Sequence, residues 1–316
     1  MRVAVLCGGS SFERAVSLRS GAAVEHALRA LGHEAVLVDT GPGMSGALSS
    51  GDFDCAFIAL HGTGGEDGSA QQVLELLGIP YTGSRPWPCE IAHDKVRAKR
   101  SLMAAGMFTP PFVALSAIAI NEFGAGDVLP ETIAELGLPV IVKPVHGGSS
   151  LGVRIARDAH ELPRALVSAL SWDTHVIVEQ YIRGRELSVA VIGTDDPRCL
   201  PPVRILPRHA DHFDFDSRYS TGQTDFACPP TDISGDELAE VTRAALAAHE
   251  ALDLSGWSRV DLILDEHGTP WVLECNTVPG MTETSLVPRA AIAAGMNSAD
   301  LVAELLADAV QQAREE

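Results

Sequence analysis

The chain has 316 residues and a formal net charge of −19, with 42 acidic residues against 23 Lys and Arg. Such a length can form two or three packed units with substantial cores, which favours a globular enzyme. The acidic balance, without a long basic stripe, argues against a nucleic-acid-binding protein or a membrane-surface protein.

The six cysteines are spread along the chain without a CxxC pair. This distribution predicts buried thiols in a reducing compartment rather than a disulfide framework or a zinc site. The chain opens on a predicted strand at 3–6 instead of a targeting segment, and no stretch of 18 apolar residues follows. We therefore expect a cytoplasmic protein with no membrane partner.

Residues 1 to about 90 alternate between strand and helix patterns, which predicts a parallel sheet with crossover helices. The predicted strands are 3–6, 34–38, 55–60 and 80–82, and the predicted helices are 16–31 and 69–77. Ligands of such sheets collect at the carboxyl ends of the strands, where the loops 8–14 and 61–68 lie. Neither loop matches GxGxxG or a P-loop, so a dinucleotide fingerprint is absent.

The stretch 94–187 predicts a small mixed α/β unit. The predicted elements are a basic helix over 95–105, a strand over 140–144, a helix over 161–170 and a strand over 176–179. Lys143 and the Gly/Ser loop 147–152 together supply a cation and close-approaching backbone amides, which suit a di- or triphosphate. By itself, however, a Gly/Ser loop is more often a simple turn.

A connector of the kind that lies beside a purine follows the second of these strands. Backbone groups of residues 179–182 can hydrogen-bond an adenine edge, and Glu186 can hold ribose hydroxyls. Beyond it, the sequence predicts a strand over 186–192, a mobile segment over 211–224 that is poor in apolar residues, and a helix over 237–252. A closing helix over 298–312 begins with Ser298 and Asp300, which resemble an N-terminal cap.

A β-hairpin near the C-terminus carries candidate metal ligands. Asp261 stands in the predicted strand 260–264, a turn follows, and the second strand ends at Glu274. Opposite positions on paired strands lie about 5 Å apart, so the two carboxylates can share a cation, and Asn276 adds an amide oxygen on the same face. Hard oxygen ligands favour magnesium or manganese. The alternative is a pair of solvated acids beside a turn.

These motifs stand in an order that resembles the ATP-grasp superfamily, and within it the D-alanine–D-alanine ligase family. The superfamily motifs are Asp94-Lys95, Lys143-Pro144 with its loop, Glu179 with Glu186, Arg259-x-Asp261, and Glu274-x-Asn276 followed by Pro279-Gly280-Met281. The segments that resemble the ligase family are 8–18 (GGSSFERAVSL), 61–68 (HGTGGEDG), 80–84 (PYTGS) and 285–288 (SLVP). The resemblance covers nearly the whole chain.

The resemblance implies an α/β fold, α+β in its C-terminal part. It implies an N-terminal Rossmann-like domain over 1–93, a central ATP-grasp subdomain over 94–187, and a C-terminal subdomain over 188–316 with the metal and substrate site. The implied enzyme uses ATP to phosphorylate one D-alanine, whose acyl phosphate is attacked by a second D-alanine, for peptidoglycan synthesis. Two magnesium or manganese ions, a potassium ion and a homodimer are implied as well.

The resemblance also implies roles for individual residues at the nucleotide and the metal. The implied ATP-binding residues are Lys95, Lys143, Ser149, Ser150, Glu179, Gln180, Tyr181, Ile182, Glu186 and Arg218. The implied metal ligands are Asp261, Glu274 and Asn276. Arg259 and the backbone N–H of Gly280 would face the oxyanion of the tetrahedral intermediate.

The remaining implied roles concern the amino-acid substrates. Glu13 would hold the ammonium of the first D-alanine, with His61 nearby, although a histidine at a strand end is often structural. Ser285 and Leu286 would receive the carboxylate of the second D-alanine at a helix start. Ser149 and Tyr219, together with Glu13, would tie the Gly/Ser loop to a flap that excludes water.

Four positions depart from the family pattern. Arg218 replaces a lysine expected near the γ-phosphate, and guanidinium geometry differs from that of an ammonium. His93 stands where methionine is usual, and Glu283-Thr284 replace the usual Ser-His before Ser285. The last change lies beside the implied second-substrate site, so it leaves the acceptor open.

Three alternatives remain open from the sequence. A D-alanine–D-lactate or D-serine ligase is one, although the lactate enzymes usually lack the tyrosine found here as Tyr219. Another ATP-grasp carboxylate–amine ligase would keep the metal ligands but not Glu13 or Ser285-Leu286. A regulatory nucleotide-binding protein would show a damaged metal or oxyanion set, whereas this set is intact.

Overall fold

The computed structural model describes residues 1–208 and 223–315. They form three sheets, and side chains from all three parts of the fold converge on one cleft. The mixture of one parallel sheet with two antiparallel sheets confirms the α/β fold class predicted from the sequence.

The N-terminal sheet is parallel, as the alternating pattern predicted, with the strand order β2-β1-β3. Its strands are β1 (Arg2–Gly8), β2 (Glu34–Thr40) and β3 (Cys55–Ile58). Its helices are α1 (Arg14–Ala30), α2 (Met44–Ser50) and α3 (Ser69–Leu77). The strand predicted at 80–82 is wrong in extent, because only an isolated bridge between Ala56 and Tyr81 forms there.

Two short helices, α4 (Pro86–His93) and α5 (Lys95–Ala104), lead into a four-stranded antiparallel sheet of order β4-β7-β5-β6. The strands of this central sheet are β4 (Phe112–Ser116), β5 (Val140–Pro144), β6 (Arg154–Ala156) and β7 (His175–Gln180). Its helices are α6 (Ala117–Phe123), α7 (Ala125–Leu136) and α8 (Leu162–Leu170). The Gly/Ser loop joins β5 to β6, at the edge of this sheet.

The C-terminal sheet has the order β11-β10-β8-β12-β13, and β9 also pairs with β8. Its strands are β8 (Arg185–Ile192), β9 (Arg198–Cys199), β10 (Val203–Pro207), β11 (Thr224–Ala227), β12 (Trp257–Leu264) and β13 (Pro270–Asn276). The helices of this part are α9 (Gly235–Ala251), α10 (Leu286–Ala293) and α11 (Ser298–Glu315). Strand β12 lies at the centre and pairs along its whole length with β8, which makes it a rigid support for the side chains it carries.

Three hydrophobic clusters stabilise these sheets. Two of them contain residues from both sides of the domain boundaries predicted from the sequence. Leu102 of α5 packs in one cluster with Leu187 and Val260 of the C-terminal sheet, whereas the central sheet has a cluster of its own. Helix α11 packs with the N-terminal sheet, for example through Leu305. The division at 93/94 and 187/188 therefore stays a prediction.

The start of helix α11 corrects one detail of the sequence interpretation. Asn297, rather than Ser298, accepts hydrogen bonds from the backbone N–H groups of Ala299 and Asp300. The Asp300 carboxylate in turn accepts from the backbone N–H of Asn297, at 2.9 Å. Among the described residues, no single helix is long and apolar enough to cross a membrane, and α10 with α11 meets that length and composition only as a pair bent by 104°.

The described cysteines are all free, in agreement with the prediction from their spacing. Four are buried, and Cys199 and Cys228 are partly exposed. Burial raises the pKa of Cys55 to about 12, so this thiol stays protonated at neutral pH. The cysteines thus contribute to packing as small apolar side chains.

A buried histidine gives the fold a pH-dependent stability. His249 is 1% exposed, its Nδ1 lies 2.8 Å from the Ser258 hydroxyl, and burial lowers its pKa to about 4. The unfolded chain binds a proton near pH 6.5, so this contribution is complete above pH 6.5 and is lost as the pH falls toward 4. We expect His249→Gln to reduce the slope of unfolding free energy against pH by about 1.4 kcal/mol per pH unit in that window.

Urea unfolding at several pH values between 4 and 7 measures this slope. The matched control is His26→Gln, which changes an exposed histidine on α1 and should leave the slope unchanged. Equal slopes for His249→Gln and the parent protein would contradict the assignment.

Candidate active site

Two adjoining cavities lie where the three sheets converge. The first, of about 960 Å³, lies between the central and C-terminal sheets and is called the nucleotide cavity below. The second, of about 820 Å³, adds residues from the N-terminal loops and is called the substrate cavity. Gly148 and Glu274 line both cavities, so a ligand in one can reach a ligand in the other at this junction.

The nucleotide cavity brings together most residues that the sequence assigned to ATP. Those that line it are Lys95, Lys143, Ser150, Glu179, Gln180, Tyr181, Ile182 and Glu186. Ser149 lies instead on the wall of the substrate cavity. Arg218 lies outside the described residues, as does Tyr219.

Lysines at one end of the nucleotide cavity are held by carboxylates and a backbone carbonyl. Lys143 Nζ lies 2.6 Å from Glu179 Oε2, and Lys95 Nζ donates to the carbonyl of Gly147 at 2.7 Å. Lys95 Nζ also lies 3.7 Å from Glu274 Oε2. Burial pulls the pKa of Glu179 upward, but the ammonium groups of Lys143 and Lys99 outweigh this and lower it. Glu179 is therefore a carboxylate that anchors Lys143.

Sequence interpretation missed Lys99, the second partner of Glu179. Its side chain is fully buried, and its Nζ lies 3.2 Å from Glu179 Oε1. The available signal was its position on α5, because the neighbouring Ala98 and Leu102 mark the apolar face of that helix.

The Gly/Ser loop takes a conformation that suits close approach to a ligand. Ser149 and Ser150 both have left-handed backbones, with φ of 55° and 57°, which L-residues rarely adopt. At Gly148, a Cβ would lie 2.8 Å from Glu13 Oε1, so a larger residue would collide with this carboxylate. The Ser149 hydroxyl donates to Glu13 Oε1 at 2.7 Å. This bond links the Gly/Ser loop to the loop 8–14. The flap that the resemblance joins to this pair through Tyr219 lies outside the described residues.

The hairpin predicted to carry metal ligands is present with the predicted pairing. Asp261 lies opposite Glu274, and Arg259 lies opposite Asn276. The register shifts immediately after this pair: Leu262 pairs with Val272, and Leu273 is passed over. Such a bulge re-aims side chains, and here the successive residues Leu273 and Glu274 both line the nucleotide cavity.

The three candidate metal ligands supply two carboxylates and one amide oxygen, a set that suits magnesium or manganese. Asp261 accepts hydrogen bonds from Arg259 at 2.9 and 2.8 Å and from the Ser188 hydroxyl at 2.7 Å. The Asn276 amide oxygen accepts from the backbone N–H of Val278 at 3.0 Å. In residues 1–208 and 223–315, no cluster of three His, Cys, Asp or Glu could hold a metal ion, so the amide is needed to complete the set.

The substrate cavity places a buried arginine among several carboxylates. Burial opposes the charge of Arg259, but Asp261, Glu274 and Glu66 raise its pKa above the ordinary value. Glu66, which the sequence interpretation did not single out, has its pKa raised to about 8 by burial and by the nearby Glu13. The cavity therefore holds the Arg259 cation beside a buried carboxyl group, Glu66, whose ionisation is disfavoured.

His61 lines the substrate cavity, but internal groups occupy both ring nitrogens. Nδ1 lies 3.0 Å from the carbonyl of Val278, and Nε2 lies 2.8 Å from the Ser20 hydroxyl. A carbonyl only accepts, so Nδ1 carries the proton, and Ser20 donates to Nε2. Ser20 also accepts from the backbone N–H of Met281 at 3.1 Å. His61 thus holds the loop that contains Gly280, and burial lowers its pKa to about 4.

The predicted second-substrate residues begin helix α10 at the other end of the substrate cavity. Ser285 precedes the helix, and its hydroxyl accepts from the backbone N–H of Thr282 at 3.1 Å. A Cβ on Gly280 would lie 2.7 Å from the Ser285 hydroxyl, so the loop that contains Gly280 and the start of the helix are in close contact. Leu286 and Thr284 also line this cavity.

Two antiparallel sheets that enclose a nucleotide cavity, with lysines, a Gly/Ser loop and hard oxygen donors at one end, define an ATP-grasp enzyme. Comparison with known proteins identifies the family. The protein-family model described as "D-ala D-ala ligase C-terminus" matches residues 102–307. A second family model, "D-ala D-ala ligase N-terminus", matches residues 40–84.

The chain is 47% identical over 313 residues to the D-alanine–D-alanine ligase of Alcanivorax borkumensis, covering 99% of this chain and 95% of the relative. The structure of the Bacillus anthracis D-alanine–D-alanine ligase complexed with ATP matches with a TM-score of 0.83 and 32% identity, over 100% of this chain and 99% of that chain. The VanG D-Ala:D-Ser ligase of Enterococcus faecalis matches with a TM-score of 0.84 and 27% identity, over 98% and 99% of the two chains.

The chain therefore belongs to the D-alanine–D-alanine ligase family. These findings confirm the family, the ATP-grasp fold and the ligase class predicted from the sequence.

Proposed function

We propose that the protein joins two D-alanines to D-alanyl-D-alanine, with cleavage of ATP to ADP and phosphate, in the synthesis of peptidoglycan precursors. The observation that carries this proposal is the junction of the two cavities at Gly148 and Glu274, beside Arg259. A carboxylate bound next to Arg259 would face the phosphate end of a nucleotide. Activation of a carboxylate by ATP needs this proximity.

At the nucleotide, the chain's own groups would fix both ends of ATP. Residues 179–182 and Glu186 would bind the adenosine, and Lys95, Lys143 and the Gly/Ser loop would bind the phosphates. Magnesium or manganese, held by Asp261, Glu274 and Asn276, would neutralise charge on the transferring phosphoryl group. We include Arg218 as a further phosphate contact from outside the described residues.

The substrate cavity would hold both amino acids. Glu13 would bind the ammonium of the first D-alanine. A carboxylate oxygen of this D-alanine would attack the γ-phosphorus of ATP, with ADP as the leaving group. The amine of the second D-alanine, held by Ser285 and Leu286, would attack the acyl-phosphate carbon. Arg259 and the backbone N–H of Gly280 would stabilise the oxyanion until phosphate leaves. Tyr219 would close the flap through Ser149 and exclude water.

The His61 hydrogen bonds support a positioning role for this residue. They hold the loop that presents Gly280, so His61 would act on the first substrate through the oxyanion loop rather than through a free ring nitrogen. The remaining proposals are two metal ions, activation by potassium, a homodimer, a cytoplasmic location and the three-domain division at 93/94 and 187/188. Activity in sodium against potassium salts and size-exclusion chromatography test the potassium and dimer proposals.

A D-alanine–D-serine ligase is the second candidate. Two observations support it. The chain matches an enzyme of that kind. Thr284 belongs to the Glu283-Thr284 pair that departs from the family pattern, and it lines the cavity proposed to hold the acceptor. Phosphate release with magnesium, ATP and each of D-alanine, D-serine, D-lactate and L-alanine, alone and paired with D-alanine, separates the candidates. We expect D-alanine alone to support full release and D-alanyl-D-alanine to be the product. Absence of D-alanine-dependent phosphate release would overturn the proposal.

The bond between Ser149 and Glu13 provides a test of the first-substrate site. We expect Ser149→Ala to raise the KM for D-alanine about fivefold, because a hydrogen bond of this kind contributes about 1 kcal/mol and orients the carboxylate that binds the ammonium. Steady-state kinetics at saturating ATP measure this change. The control is Ser171→Ala, which removes an exposed hydroxyl that contacts only the Val167 carbonyl in the described structure. An unchanged KM in Ser149→Ala would remove Ser149 from the site.

A further inference from the structure

Lys99 is a charged residue with no exposed surface. Removing an ammonium from water is costly, so fully buried lysines are rare and have specific partners. Here Nζ lies 2.5 Å from the Thr109 hydroxyl and 3.2 Å from Glu179 Oε1, and 5.5 Å from the centre of the Phe112 ring. These contacts place the ammonium group of Lys99, on helix α5, directly behind the central sheet.

Glu179 is shared between two lysines that differ in their access to ligand. Its Oε2 lies 2.6 Å from Lys143, which lines the nucleotide cavity, and its Oε1 faces Lys99, which does not. Burial lowers the pKa of Lys99 to about 8, so the side chain still carries its charge at neutral pH. The three groups therefore carry a net charge of +1.

The charges around the nucleotide cavity make this balance important. Two lysines line the cavity, against four carboxylates: Glu179, Glu186, Asp261 and Glu274. A polyphosphate entering such a site meets an acidic surface unless local cations offset it. Without Lys99, Glu179 would cancel the charge of Lys143, and the two groups together would be neutral.

We propose that Lys99 is a positioning residue for the nucleotide phosphates: it neutralises Glu179 from behind the cavity, so that Lys143 keeps a net positive charge toward them. The inference rests on the proposed binding of ATP in this cavity. Lys99 has no access to the ligand, yet it would selectively strengthen binding of the phosphates. Other groups would bind the adenosine part of ATP.

The test is the phosphate selectivity of binding, defined as the ratio of the Kd for adenosine to the Kd for ATP, measured by calorimetry. The net charge of the three groups is +1 in the parent protein, 0 in Lys99→Met, +1 in the double variant Lys99→Met/Glu179→Gln, and +2 in Glu179→Gln. We expect selectivity to fall about tenfold in Lys99→Met and to return to within about threefold of the parent in the double variant, because even one partly screened charge pair changes binding by this much. In Glu179→Gln it should equal or exceed the parent value.

Rescue by Glu179→Gln, which removes a second charged group without restoring the first, distinguishes charge balance from a purely structural role. Arg100→Met, an equal charge loss at an exposed position of the same helix, is the control and should leave selectivity unchanged. Unchanged selectivity in Lys99→Met, an equal loss of ATP and adenosine affinity, or a double variant as poor as Lys99→Met would each overturn the inference. If Lys99→Met does not fold, a selectivity of Glu179→Gln below that of the parent overturns it.

Failure of the inference is distinct from failure of the proposed function. If the parent protein binds ATP more tightly than adenosine and the variants do not follow the charge order, only the role of Lys99 is wrong. If the parent protein does not bind ATP, the proposed function is wrong, and the role of Lys99 falls with it.

Discussion

Replacing Arg259 with methionine is expected to lower kcat by about 10²- to 10³-fold, the effect of losing one oxyanion donor. Arg259 lies on β12, where it pairs with β8, and its guanidinium is held against Asp261 by two hydrogen bonds. It is therefore fixed before substrate binds, so no reorganisation is needed when negative charge develops. Because the proposed interaction of Arg259 with the oxyanion would strengthen only as the oxyanion forms, kcat should fall much more than the KM for D-alanine rises.

Steady-state kinetics over both substrates measure this effect, and urea unfolding checks that the variant is folded. The matched control is Arg198→Met, which removes a cation from a half-exposed ion pair with Glu304 and should leave kcat unchanged. A folded Arg259→Met variant that retains at least a third of the parent kcat would show that the oxyanion forms elsewhere.

The second large effect is expected for Glu274→Gln, which should lower kcat by about a hundredfold at millimolar magnesium and raise the magnesium concentration for half-maximal activity. Glu274 lines both cavities and lies opposite Asp261 on the paired strand. The amide keeps the shape of the side chain but removes the charge that a divalent cation needs. Added magnesium should therefore recover part of the lost activity.

Titration of activity with magnesium and with manganese measures this shift. Glu304→Gln is the matched control, because it removes the carboxylate of the same surface pair that Arg198→Met breaks from the other side. A Glu274→Gln variant with the parent's magnesium dependence would exclude Glu274 as a metal ligand.

Apolar patterning predicted the fold well where an element is buried along its length or on one face. The three parallel strands, the helix Ser69–Leu77 and the hairpin that pairs Asp261 with Glu274 are all present. Helices α6 and α7 escaped prediction because they bury few residues and α7 contains Pro130, so their apolar pattern is weak. Helix α2 escaped for a similar reason, since only Leu48 in it is buried.

The candidate nucleotide and substrate residues were predicted from motifs that resemble those of the family, and most of them line the two cavities. What spacing could not indicate was the burial of charge. Lys99 stands within an ordinary charged helix and Glu66 within the Gly-rich segment 61–68, and only the packing of α5 and of that loop shows that both side chains are buried. The bonds of His61 to Ser20 and Val278 likewise depend on contacts between distant parts of the chain.

The central claim is that a substrate carboxylate is phosphorylated by ATP at the junction of the two cavities, beside Arg259. D-Alanine labelled with ¹⁸O in its carboxylate tests this most directly, with mass spectrometry of the released phosphate and of the dipeptide. Because the attacking carboxylate oxygen stays on phosphorus when the amide forms, we expect each phosphate to carry one ¹⁸O atom and the dipeptide to have lost one. Unlabelled phosphate, released together with dipeptide, would contradict the account.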